Sequence, residues 1–241
     1  MRRTTSTRPS LRRQAGFTLL ETLIGLGIGL FLLGGIVLVM GMTRQNFNAQ
    51  NGLSQLQDDE RIAVSMLVMV IEHAGFFSTP QTTTIAQAFP TAAPFASAGQ
   101  SVSGTSGSGT TSDTISVRYL QSPGGAADSD FMQNCNGGNN TDSAPRMSIS
   151  TFTLNNKGEL TCAVGSDPAQ PLSAGIRAFS VLYGVDSDND RSVDRYLPAS
   201  SMTADLWTQV GSVRMRLDFT NPLDSTKPAT VVRVINLMNQ S

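Results

Sequence analysis

Twenty uncharged residues, Leu23 to Met42, run without interruption close to the start of the chain. At about 1.5 Å per residue they span roughly 30 Å, the thickness of a bilayer's hydrocarbon core. In lipid every backbone N–H and C=O must be satisfied within the segment, so this run is predicted to be one membrane helix. Five arginines (Arg2, Arg3, Arg8, Arg12 and Arg13) precede it and no acid does. That asymmetry holds the N-terminus on the cytoplasmic side and sends the rest of the chain across. A secretory signal peptide carries its apolar region before the cleavage site; here the residues before Gly16 are basic and polar and the apolar run follows.

Glu21 stands just inside the apolar run, where a carboxylate costs about 2 to 3 kcal/mol on insertion scales and needs a partner. A plain signal anchor offers it none. Gly16, Phe17, Thr18, Leu19 and Glu21 stand in the order G-F-[ST]-L-x-E, and in this the chain resembles a type IV prepilin. The resemblance implies cutting after Gly16 by prepilin peptidase, N-methylation of Phe17, and a Glu21 that pairs with the Phe17 α-amine of a neighbouring subunit in a filament. Removing the five leader arginines leaves 12 basic residues against 18 acidic ones. The mature chain is then formally −6, which argues against general nucleic-acid affinity, and no specific nucleic-acid partner is inferred.

Within the run, Gly25 and Gly29 form a G-x-x-x-G pair of the kind that lets helices approach closely, and Gly34-Gly35 is a potential weak point. Leu53, Leu56, Ala63, Leu67, Val70 and Ala74 keep three-and-four spacing, and Gly75 is placed to end a helix. One helix from Phe17 to Ala74 is therefore expected, about 85 Å long if continuous, with Asn51-Gly52 as a site of kinking. The expected division is a leader at 1–16, an assembly and membrane half at 17–42, an amphipathic half at 43–75, and an exported domain at 76–241.

The exported part opens with Pro80, Pro90 and Pro94, and 96–113 is so rich in Ser, Gly, Thr and Ala that it reads as a flexible loop without apolar anchors. Alternating apolar residues then mark strands at 114–120, 148–154, 159–164, 176–185, 213–219 and 230–239, with Asn155 to Gly158 as a hairpin turn. The fold class is α+β: a long N-terminal helix packed on a mostly antiparallel β-sheet domain. A short helix is expected at 204–210, with Trp207 as a packing residue.

The run L-Q-D-D-E-R-I-A at Leu56 to Ala63, A-G-F-F at Ala74 to Phe77, and the segment Asp205 to Leu217 together resemble PilW-type minor pilins. That resemblance implies a structural protein that primes or caps a type IV pilus used for twitching, adhesion or DNA uptake. Its partners would be prepilin peptidase, other minor pilins, the major pilin, the inner-membrane assembly platform and membrane lipid. It would reside in the inner membrane with a periplasmic domain and then at the pilus tip. A type II secretion pseudopilin, or an anchored periplasmic binding module that never joins a filament, are the alternatives. PilW-like chains often carry a cysteine directly after the aromatic pair, where this chain has Ser78.

Two cysteines, Cys135 and Cys162, read as one disulfide in an oxidising compartment, or otherwise as two free thiols. Asp186, Asp188, Asp190 and Asp194, with the Ser192 carbonyl, match positions 1, 3, 5, 9 and 7 of a calcium loop. Arg191 replaces the usual glycine at position 6, and Leu197 the bidentate glutamate at position 12. Calcium is thus a possible, not a required, cofactor, and a solvated acidic turn balanced by Arg191 and Arg195 is the other reading. No enzyme is expected. His73 is the sole histidine, at the end of the long helix where it suits a C-terminal cap, and neither Lys157 nor Lys227 stands in a phosphate loop.

Overall fold

The computed structural model describes residues 16–108, 111–125 and 132–239. The leader call, apart from Gly16, lies outside the described residues. The first element is helix α1, Leu19–Glu72, 54 residues long. Thr18 caps its start, accepting the N–H of Glu21 on its hydroxyl at 3.3 Å. The helix is four residues shorter than the expected 17–74. At its far end Gly75 takes a φ of +75°, and its N–H leaves the helix to bond the Arg118 carbonyl at 3.0 Å.

Neither Asn51-Gly52 nor Gly34-Gly35 breaks α1. Asn51-Gly52 was expected to permit a kink, but the helix passes through it, and Pro222 packs on Gly52: a Cβ there would lie 2.8 Å from Pro222 Cβ. Gly34 and Gly35 are helical as well, with nothing within 4 Å of a Cβ at either.

The chain divides into two compact units, up to Gln50 and from Asn51 onward. In the first, the described residues are almost all exposed, Phe31 at 83%. In the second, α1 buries Ala63, Leu67, Val70 and Ile71, as the three-and-four spacing predicts, while Leu53 and Leu56 are half-buried.

Nine strands follow among the described residues: β1 Val102–Thr105, β2 Thr114–Gln121, β3 Arg146–Leu154, β4 Leu160–Val164, β5 Gln170–Ser173, β6 Ile176–Val185, β7 Arg195–Pro198, β8 Val210–Phe219 and β9 Ala229–Asn236. They form two antiparallel sheets, β1-β2-β3-β4-β5 and β7-β6-β8-β9, where six strands were expected. The three strands missed, β1, β5 and β7, are four residues each and lie at sheet edges. Edge strands bury too little to need an apolar alternation, and β5 even holds Pro171.

The expectation for 96–113 is corrected in the same way. This stretch holds β1, whose Val102 is fully buried, and Ser112 and Asp113 dock on β6. Asp113 Oδ2 accepts the Val181 N–H at 2.7 Å, and Ser112 Oγ accepts that of Phe179 at 3.1 Å. These bonds satisfy the part of the β6 edge that β7 does not reach.

The alternating apolar residues of β6 and β8 turn inward. Phe179, Val181, Tyr183, Val213, Met215, Leu217 and Phe219 are buried, and Arg214 and Arg216 face out. They share a core with Ile115, Val117 and Tyr119 of β2 and with the buried residues of α1. Each such large side chain contributes about 1.5 to 3 kcal/mol.

Candidate functional site

At the N-terminal segment, Phe17 is 81% exposed and Gly16, Thr18 and Glu21 are exposed too. The two ion pairs among the described residues, Arg61 with Asp58 and Arg216 with Asp218, leave Glu21 without a cation. The exposed residues beyond it are long enough and apolar enough to cross a membrane, with a mean hydropathy of 2.6 over the best window. This segment therefore presents an accessible peptide bond after Gly16, a carboxylate in need of a cation, and apolar surface with nothing to cover it.

The unit from Asn51 onward is fixed by two features beside its core. Cys135 and Cys162 form a disulfide with their Cα atoms 6.3 Å apart, joining the segment after β2 to β4. Arg118, on the face of β2 turned away from the core, is only 1% exposed. Its guanidinium donates to the carbonyls of Gln100 and Pro90, each at 2.6 Å, and more distantly to those of Phe89 and Ser97. Burial pushes its pKa down to about 10. Arg118 lies between the inward Val117 and Tyr119, and nothing in the sequence signalled that the 89–100 segment would fold over it.

His73 is not the charged cap expected. α1 ends before it, its ring packs 5.5 Å from that of Tyr119, and its Nδ1 is buried without a hydrogen-bond partner. Burial lowers its pKa, outweighing the opposing pull of Glu72, so it sits neutral. Trp207, on the short helix α2, Ala204–Thr208, is a packing residue as predicted, edge-on to Tyr183 at 4.6 Å between centroids.

The acidic loop joins β6 to β7. Asn189 and Arg191 take positive φ values of 60° and 70°, which fold the loop back on itself. Asp186, Asp188 and Asp194 come together, each offering an oxygen within 4.8 Å of the others; Asp190 is outside this group and accepts the Ser192 N–H at 2.7 Å. Asp194 accepts the Ser187 N–H at 2.7 Å and its hydroxyl at 2.5 Å, and these bonds, the hydroxyl's first, hold its pKa below the usual carboxylate value. For Asp188 the Asp190 N–H pulls downward, but desolvation, the charges of Asp190 and Asp194 and the adjoining Asp186 carboxyl together outweigh it and the pKa is raised. Behind the loop lies a cavity of about 140 Å³, lined in part by Asp186, Asn189, Trp207 and Gln209.

Two family models match the sequence: the prokaryotic N-terminal methylation motif over residues 11–37, and the Type IV Pilus-assembly protein W over residues 137–233. Among solved structures, a type IV-like pilin from Thermus thermophilus is similar at 12% identity, with 78% of this chain and 97% of that one covered and a TM-score of 0.44. No curated protein matches the chain.

Proposed function

We propose that this chain, a type IV pilin-like protein of PilW type, is a minor pilin that primes or caps a pilus. The observation that carries the reading is the coincidence, in one segment, of the methylation motif with a bare apolar helix whose sole early charge is Glu21. A membrane supplies the missing apolar partner before assembly, and packing against neighbouring pilin helices supplies it afterwards. Gly25 and Gly29 carry no Cβ on that surface, so helices can approach closely along it. Cleavage after Gly16 creates an α-amine at Phe17, and the same group on an adjacent subunit is the cation that Glu21 lacks. The protein acts through packing, with prepilin peptidase, minor and major pilins and the assembly platform as partners. Its β domain lies outside the cytoplasmic membrane and later at the filament tip.

Intact-mass and N-terminal analysis of membrane-extracted protein, with and without co-expressed prepilin peptidase, tests this directly. The expected product begins at methylated Phe17 and is absent for Gly16→Ala. Glu21→Ala is expected to be processed normally yet missing from sheared filaments. A chain that keeps Met1 in the presence of active peptidase would overturn the reading in favour of a simple anchored domain.

A further inference from the structure

We propose that Asp186, Asp188 and Asp194 hold a calcium ion that locks the β6–β7 loop. Spacing in the sequence suggests five candidate donors; the folded loop selects three, since Asp190 is outside the cluster and spends an oxygen on the Ser192 N–H. Clustered acids alone would say little, but Asp186 is 9% exposed and its Oδ1 is enclosed with no hydrogen-bond partner. Its other oxygen already accepts the Arg191 N–H at 2.8 Å. A carboxylate oxygen shut away from water and from donors is unfavourable unless a cation meets it.

The arginines do not supply that cation. Arg191 offers Asp186 only its backbone, and neither Arg191 nor Arg195 makes an ion pair among the described residues. Arg195 acts on Asp194 through its charge and leaves the enclosed Asp186 oxygen unmet. The hydrogen bonds described for Asp188 and Asp194 occupy one oxygen of each, leaving the second for a ligand.

All the donors are oxygen, which selects a hard cation. Three carboxylate oxygens within 4.8 Å of one another, on a loop open to water, suit the irregular shell of calcium, which takes six to eight oxygens at about 2.3 to 2.6 Å. Magnesium demands a tighter octahedron. Because Asp186 follows Val185 at the end of β6 and Asp194 precedes Arg195 at the start of β7, one ion ties the two strands together where the Asp194 N–H already reaches the Val185 carbonyl at 2.9 Å. It also fixes the wall of the cavity shared with Trp207, through the Asp186 N–H bonded to the Gln209 carbonyl at 3.0 Å. The inference rests on the domain alone and holds whether or not the chain is processed or enters a filament.

Trp207 is the only tryptophan and lines the same cavity as Asp186, so it serves as a built-in antenna. Full-length protein in detergent micelles, stripped with chelator and titrated with terbium under tryptophan excitation, is expected to give sensitised emission that calcium displaces at lower concentration than magnesium. Asp188→Asn and Asp194→Asn are expected to weaken binding at least about tenfold, the low end of the effect even of outer-shell changes. Exposed Asp142→Asn is expected to leave it unchanged. Calcium should raise the Tm of the parent protein and not that of Asp188→Asn, whose side chain is exposed and takes no part in the core. Absence of calcium-displaceable emission from folded protein, equal displacement by magnesium, or emission intact in both Asn variants would each overturn the proposal.

Discussion

The guanidinium carbon of Arg118 lies 4.3 Å from the centre of the Phe95 ring, and from there the same group reaches four backbone carbonyls of the 89–100 segment. A buried cation is normally expected to face a carboxylate. Here carbonyl dipoles and two aromatic faces, Phe95 and Phe89, take its place.

Removing that cation should strip a whole segment of its partners. Arg118→Leu is expected to destabilise the domain by about 3 kcal/mol, because several carbonyls lose their donor at once. Arg118→Lys should recover little, since a compact ammonium cannot reproduce the fork. Urea unfolding checks both, and a midpoint unchanged for Arg118→Leu would show that the segment holds itself.

Gly184 on β6 is closed in by its neighbours. A Cβ there would overlap Ser212 Oγ and come within 2.9 Å of both Tyr196 Cε1 and Val193 Cγ1. Gly184→Ala is expected to cost about 2 kcal/mol by overpacking, whereas Gly27→Ala, with nothing within 4 Å, should leave domain unfolding unaltered. Side-by-side thermal melts distinguish the two.

The Cys135–Cys162 bridge spans 27 residues. In the chain-entropy model its loss costs about 3.5 kcal/mol, expected both for the double Cys→Ser variant and for the parent protein under reductant. If denaturation curves with and without reductant coincide, the bridge contributes nothing to the folded state.

Acid should expose His73. Its folded pKa lies below the unfolded value of 6.5, so above that pH both states are neutral and no stability is at stake. As pH falls below 6.5 the unfolded chain takes up a proton that the folded protein resists, and stability declines until the folded pKa is passed. Because this is the sole histidine, His73→Gln should flatten the pH dependence of the Tm between 6.5 and the folded pKa. An identical slope in the variant would assign the effect elsewhere.

Much of this protein was legible because local chemistry left few options. An uncharged twenty-residue run has to be helical in lipid, the Gly16 to Glu21 pattern identifies a prepilin-type start, and strict alternation in 176–185 and 213–219 marks strands buried on one face. The acidic loop showed its composition through spacing. Which of its carboxylates meet depended on two left-handed residues, Asn189 and Arg191, neither of them the glycine that such a turn advertises.

Tertiary structure decided what alternation cannot encode. Edge strands β1, β5 and β7 exist because β2, β4 and β6 present unpaired backbone groups to them, so pairing and not hydrophobicity places them. Pro222 packs where a Cβ on Gly52 would stand, and Arg118 is buried because a segment some twenty to thirty residues earlier closes over it. The sequence by itself determined the long apolar helix, the N-terminal methylation motif and the central strands, since each depends on neighbours a few residues away. Only the folded chain decided the second sheet, the arginine clamp and the three-carboxylate cluster, since each depends on groups that long-range packing brings together.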